Sequence, residues 1–80
     1  MHNATQILNR LIEDREAQDG REASVDFTVN GTEFTISVVD NWVTLWYDDA
    51  PQENDFFSTY PDDIERLTEW LNDSIGEAIQ

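Results

Sequence analysis

The order of the structural elements can be predicted from residues 22–47, which read EASVDFTVNGTEFTISVVDNWVTLWY. Apolar and polar residues alternate on both sides of Asn30-Gly31, and that dipeptide is the strongest short signal for a two-residue hairpin turn. A turn at this position fixes the register and predicts four pairs on one face: Val29 with Thr32, Phe27 with Phe34, Val25 with Ile36, and Ala23 with Val38. The sequence therefore predicts an antiparallel hairpin with a single apolar face.

A second tight turn at Asp40-Asn41 predicts a third strand over residues 42–47. On the same face, this strand would add the pairs Val38 with Val43, Ile36 with Leu45, and Phe34 with Tyr47. The opposite face would carry Val39, Trp42 and Trp46 beside Glu33, Thr35 and Asp26. Two interpretations of these indoles remain open. Either residues 48–59 fold over them with Phe56 and Phe57, or the indoles form an aromatic contact patch with an acidic rim.

Residues 4–18 have the spacing of an amphipathic helix, with apolar residues three and four positions apart. Those apolar residues are Ala4, Ile7, Leu8, Leu11 and Ile12. Asn3 is expected to cap the start of this helix, and Gly20 is expected to end it in a left-handed conformation.

A second helix is predicted from Pro61 onward, with Asp62 and Asp63 in its first turn, where negative charge complements the helix dipole. Its apolar stripe consists of Ile64, Leu67, Leu71, Ile75, Ala78 and Ile79. Between the third strand and this helix, residues 48–55 hold four acids and Pro51, which predicts a solvated loop. A short fourth strand over residues 56–59 is the remaining option for this region.

The predicted order is α-β-β-β-α, in which both helices cover the sheet face that carries Phe27, Phe34, Ile36 and Leu45. This is an α+β fold with two layers: a three-stranded antiparallel meander flanked by N- and C-terminal helices. Eighty residues suffice for one hydrophobic core, so residues 1–80 are expected to form a single domain.

The composition argues against most kinds of catalytic site. The chain has no Cys, and its one His is His2, so neither a zinc site nor a nucleophilic triad can be assembled. Without Lys or a glycine-rich loop before a helix, the usual nucleotide-binding devices are missing as well. Asp48, Asp49, Glu53 and Asp55 do not follow the alternating pattern of a calcium-binding loop. We therefore expect no enzyme activity, no cofactor and no metal.

The charge balance is the property that bears most on partners. The chain holds 18 Asp and Glu against four Arg, which gives a net charge of −14. Neither a secretory signal nor an apolar run long enough for a membrane span occurs in the sequence, and anionic lipid headgroups would repel this surface. We therefore expect a cytoplasmic protein with no membrane partner, whose surface favours a basic macromolecule.

Four acids on the second helix form a regular pattern, which we call the acidic row. The row consists of Asp62, Glu65, Glu69 and Asp73, spaced three or four residues apart, so that they share one side of the helix. It would be about 16 Å long, a length over which one DNA strand presents about five phosphates. Its carboxylates can therefore replace phosphates in a groove lined by Arg and Lys. Further acids extend the charge to the sheet and its loop, namely Asp26, Glu33, Asp48 and Asp49.

The chain resembles the small phage-encoded anti-CRISPR proteins that act as DNA mimics. The resemblance covers the whole chain in length, absence of Lys, acidity and element order, and it involves no motif. In that group, acidic residues occupy the channel of a CRISPR effector where the duplex or its PAM would bind. The resemblance implies a basic nucleic-acid-binding protein as partner, contacted by the acidic row and the sheet and loop acids. It implies no direct binding of nucleic acid and a place in the host cytoplasm. A monomer and a homodimer both fit the sequence.

Other functional classes remain open. Uracil-DNA glycosylase inhibitors are acidic mimics of similar size, but their Glu-Ser-Ile strand has a counterpart only in Asp73-Ser74-Ile75, which is predicted to be helical. An inhibitor of a DNA repair or restriction enzyme is therefore a further alternative. A haloadapted domain, or a generic acidic interaction module, would also lose Lys and gain surface acid without mimicry. Evenly spread acids and folding that needs molar salt would indicate haloadaptation.

Overall fold

The computed structural model describes residues 4–18, 22–47 and 50–79, and for residues 50–53 the backbone alone. The elements are α1 (Ala4–Ala17), β1 (Glu22–Val29), β2 (Thr32–Val39), β3 (Trp42–Tyr47), β4 (Ala50–Phe56) and α2 (Pro61–Ala78). The strands form one antiparallel sheet in the order β1-β2-β3-β4. The α+β class is confirmed. Several residues with predicted roles lie outside the described residues: His2, Asn3, Gly20, Asp48 and Asp49.

The first hairpin has the predicted register. All four predicted pairs between β1 and β2 occur, from Val29 opposite Thr32 to Ala23 opposite Val38. Asn30 and Gly31 both have positive φ, 51° and 84°, a backbone conformation that Asn and Gly adopt more readily than other residues. The turn chemistry therefore sets the register of this hairpin, as the sequence indicated.

The second hairpin is confirmed as well. Val38 lies opposite Val43 and Ile36 opposite Leu45, across a turn in which Asp40 has a φ of 53°. The rings of Phe34 and Tyr47 meet edge to face with their centroids 5.5 Å apart, and Phe27 stacks on Phe34 at 5.2 Å. These rings lie on the helix-covered face of the sheet.

The predicted solvated loop over residues 48–55 is wrong for residues 50–55, because they belong to β4. This strand pairs with β3 up to Phe56 opposite Trp42, with a register irregularity between Leu45 and Trp46. The fourth strand therefore exists, but over residues 50–56 and not 56–59. An edge strand accepts Pro51 and several acids because one side of its backbone needs no ladder partner.

The two helices cover one face of the sheet, which confirms the two-layer arrangement. α1 packs against β1 and β2, and α2 packs beside α1. Buried side chains of both layers form one cluster, which includes Leu8, Leu11, Val25, Phe34, Ile36, Val38, Val43, Leu45, Phe57, Leu67, Leu71 and Ile75. On α2 the centre of the predicted stripe is buried, whereas Ile64, Ala78 and Ile79 near the helix ends stay partly exposed.

Contacts around Phe57 join the sheet to α1. The Phe57 backbone N–H donates to the Asn41 carbonyl at 2.7 Å, and the Arg15 Nη2 donates to the Asp40 carbonyl at 3.0 Å. The Arg15 guanidinium lies over the Phe57 ring, 5.0 Å from its centroid. Arg15 and Phe57 therefore hold the β2–β3 turn against the helix layer.

Candidate functional site

The acidic row occupies the solvent side of α2. This helix is continuous from Pro61 to Ala78, so the four carboxylates follow one another along a single rigid element. Asp62, Glu65, Glu69 and Asp73 are all exposed, while Leu67, Leu71 and Ile75 on the opposite side are fully buried. The structure thus brings the four predicted residues together in the arrangement that their spacing indicated.

The acidic row carries uncompensated charge. Within the described part of the chain, no ion pair or side-chain hydrogen bond involves any of its four carboxylates. A row of like charges on one helix face is mildly unfavourable for the helix, since acids three or four positions apart repel each other. The arrangement therefore does not stabilise α2, but it leaves the four carboxylates available to cationic groups of a partner.

Arg66, the one base within α2, is directed away from the acidic row. Its Nη1 donates to Asp55 Oδ2 at 2.5 Å, and its Nη2 donates to the Phe56 carbonyl at 2.7 Å. Its Nε lies 3.8 Å from Asp63 Oδ1. The guanidinium is thereby neutralised at the end of β4, so Asp55 and Asp63 are engaged internally and the row stays anionic. The sequence did not reveal this, because the contact depends on where β4 ends in space.

The outer face of the sheet, opposite the helices, exposes an aromatic patch. Trp42 is 59% exposed and Trp46 41%, and Val39 and Phe56 are exposed beside them. The Trp42 and Phe56 rings are perpendicular, with centroids 6.2 Å apart. The interpretation that residues 48–59 fold over the indoles is wrong for residues 50–56, because β4 lies beside β3 in the sheet, and Phe56 meets Trp42 from that neighbouring strand. Both indoles are exposed, as the alternative of an aromatic patch requires, and the role of the patch as a contact surface stays a prediction.

Polar contacts order the middle of this outer face. The Thr35 hydroxyl donates to Asp26 Oδ1 at 2.7 Å, and the Trp46 indole N–H donates to the Ser37 hydroxyl at 2.9 Å. Beside them lies an open depression of about 370 Å³, lined by Ser24, Thr35, Ser37 and Trp46. We call it the Trp46 depression. The carboxylate and the indole are thus held in place before any partner arrives.

The predicted acids fall on two opposite sides of the molecule. Asp26 and Glu33 are exposed on the outer face of the sheet, whereas the acidic row points away from the sheet on the helix layer. The molecule measures 34 × 24 × 18 Å along its principal axes. A flat partner surface can therefore contact one set of acids but not both, and a groove or channel could contact both.

No metal site is found in the described part of the chain, since no three His, Cys, Asp or Glu side chains come together there. The calcium alternative involves Asp48 and Asp49, which lie outside the described residues. None of the described helices has the length and apolar character that crossing a membrane requires. These findings leave the acidic row and the outer sheet face as the two features to be explained.

No protein-family model matches this chain, and comparisons with curated proteins and with solved structures find no match either. The resemblance to anti-CRISPR DNA mimics therefore rests on length, charge and element order. Function has to be argued from the two surfaces themselves.

Proposed function

We propose that this protein is a DNA-mimicking inhibitor, which places the acidic row in the positively charged nucleic-acid-binding site of a basic protein. The observation that carries the proposal is the row itself: four exposed carboxylates on one helix, none of them paired with a base among the described residues. The row extends about 16 Å, which matches about five phosphates of one DNA strand. A site built to hold phosphates with Arg and Lys would bind these carboxylates in the same way.

The mechanism is competition and not chemistry. Bound along a cationic groove, α2 would exclude DNA sterically and would neutralise the groove that attracts it. No bond is made or broken, so the proposed role includes no enzyme activity and no cofactor. The negative charge would speed association with the basic target, and added salt would weaken both the association and the complex.

A CRISPR-Cas effector is the first target to test, because the resemblance points to blocked recognition of target DNA or its PAM. DNA repair and restriction enzymes present cationic DNA grooves of the same kind, and they are the second group. The proposed place of action is the cytoplasm of the cell that holds the target. The protein would act there as a monomer or a homodimer.

The proposal can be tested by immobilising the protein and adding purified CRISPR effectors and other DNA-binding enzymes, at about 0.1 M and about 0.5 M salt. The expected result is capture of at least one basic DNA-binding complex at the lower salt. Excess target DNA should displace it, and the higher salt should release it. Capture that DNA does not compete with would contradict mimicry, as would the absence of capture across the whole panel.

A haloadapted or generic acidic module is the second candidate, favoured by exposed acids outside α2. Glu13 and Glu16 are exposed on α1, and Glu22, Asp26 and Glu33 on the sheet, so negative charge is present in both layers. A surface adapted to concentrated salt would show such a spread. It would need no partner groove.

Folding as a function of salt separates the two candidates. For the mimic we expect a folded protein at about 0.1 M NaCl, with a thermal midpoint that rises as salt screens the self-repulsion of the −14 charge. Circular dichroism and Trp fluorescence would measure this. A chain that is unfolded at about 0.1 M and folds only in molar salt would instead support haloadaptation.

A further inference from the structure

The Trp46 depression is a preorganised site on the outer face of the sheet. The proposed function, which uses the acidic row on α2, gives this site no role. Its wall is the Trp46 indole, which is 41% exposed and whose N–H is already donated to Ser37. The polar edge of this indole is therefore satisfied, and the ring face is what remains for a ligand. Asp26 stands beside the depression, and its Oδ1 accepts from the hydroxyl of Thr35, one of the lining residues.

An aromatic face, an oriented carboxylate and hydroxyl acceptors are the groups that recognise a guanidinium. The negative face of an indole attracts a cation placed over it, and Arg is found there more often than Lys. A carboxylate binds the flat guanidinium fork through paired hydrogen bonds, which a compact ammonium cannot form. The hydroxyls of Ser24 and Thr35 offer further acceptor lone pairs at the edge of the same depression.

We propose that the Trp46 depression binds an arginine side chain of the cationic partner, with its guanidinium stacked on Trp46 and hydrogen-bonded to Asp26. This inference rests on the proposed function in one respect, namely that the partner is basic. It names a second contact, on the side of the molecule opposite the acidic row. A partner groove that encloses both layers would reach both.

Charge complementarity decides between a partner protein and a second copy of this chain. The same face exposes Glu22, Asp26 and Glu33, so two copies stacked face to face would bring like charges together. Among the described arginines, Arg15 and Arg66 are engaged in contacts between the protein's own elements, which leaves Arg10 on α1 as the exposed one that a second copy could offer. A basic partner meets neither obstacle.

Titration with two short peptides tests the site without knowledge of the partner. Tetra-arginine amide and tetra-lysine amide carry equal charge, and the indole N–H resonances of nitrogen-labelled protein report on the three Trp separately. We expect tetra-arginine to shift the Trp46 resonance and to bind about fivefold more tightly than tetra-lysine. Equal affinity for the two peptides, or a shift confined to Trp70 on α2, would overturn the proposal.

Matched variants identify the contacts. Trp46→Leu should abolish the preference for arginine, and Asp26→Asn should weaken tetra-arginine binding about threefold. Trp42→Leu removes an exposed indole from the same face, and Glu16→Gln removes one charge from the exposed side of α1 in the other layer; both should leave the preference unchanged. Loss of the preference in Trp42→Leu or Glu16→Gln, or its retention in Trp46→Leu, would refute the assignment.

Three further outcomes separate this inference from its alternatives. If sedimentation shows a dimer that Trp46→Leu dissociates, the face binds a second copy, and the arginine site is refuted. If the peptide results are as expected but no DNA-binding complex is captured, the arginine site stands and the DNA-mimic proposal fails. If Trp46→Leu captures such a complex with the affinity of the unchanged protein, the DNA-mimic proposal stands and the arginine site fails, because the acidic row alone would then account for binding.

Discussion

Replacing Glu65 and Glu69 together by lysine is expected to lower the affinity for the basic partner by about a hundredfold. Both carboxylates lie in the middle of the acidic row, so the double variant turns two attractive contacts with Arg or Lys into repulsive ones. Lys and Glu have similar helix propensities, and both positions are exposed, so thermal unfolding should change little. Titration of the captured partner, together with a melting curve, measures both effects.

The matched control is Glu13→Lys with Glu16→Lys on α1. Both residues are exposed and three positions apart, and the double substitution changes the net charge by the same amount as the variant in the row. We expect this control to keep most of the affinity. Equal losses in the two double variants would mean that net charge matters and the position of the row does not. Full affinity in the Glu65 and Glu69 variant would remove the row from the mechanism.

The central sheet could be predicted because its signals are local. Asn30-Gly31 and Asp40-Asn41 each permit a two-residue turn, and a two-residue turn leaves one register for the strands around it. That register placed Asp26 opposite Thr35, and the structure shows the hydrogen bond between these two side chains. Because successive side chains of a strand point to opposite faces, the alternation of apolar and polar residues then distinguishes the core face of the sheet from the face that carries the indoles.

The fourth strand could not be predicted from local signals. Residues 50–55 are rich in acids and include Pro51, a composition that favours a loop when the strand has no visible partner. Hydrogen bonding to β3 stabilises the extended conformation of these residues. Because β4 is an edge strand, it tolerates Pro51, which has no backbone N–H to donate. The same residues belong to the segment that one of the two interpretations places over Trp42 and Trp46, so the position of β4 also bears on the site.

For the candidate site, the helical period was enough to place the acidic row but not its surroundings. Spacing alone puts Glu65 and Glu69 on the side opposite Leu67, since the geometry of one helix fixes that relation. Spacing cannot show that Arg66 forms an ion pair with Asp55, because Asp55 lies on another element, β4. Nor can it show that the Trp46 depression lies in the layer opposite to the row.

Replacement of Phe57 by alanine should have the largest effect on stability, about 3–5 kcal/mol in the free energy of unfolding. The ring is 1% exposed, and its loss would leave a cavity in the core and remove the surface beneath the Arg15 guanidinium. A domain of this length has about 4–12 kcal/mol in total, so much of the stability would disappear. Thermal unfolding in about 0.5 M salt, where self-repulsion is screened, should show a midpoint lower by about 12 °C or more.

The adjacent Phe56→Ala is the matched control, because it deletes the same ring from the opposite side of the chain. Phe56 is 47% exposed and contacts Trp42 edge to face, so its loss should cost only about 1 kcal/mol. Phe57→Leu should fall between the two, since it keeps an apolar group in the core but removes the cation–π contact with Arg15. If Phe56→Ala proves as damaging as Phe57→Ala, then the outer sheet face is covered by other atoms in solution, either a second copy or another part of the chain, and the aromatic patch is not free to bind a partner.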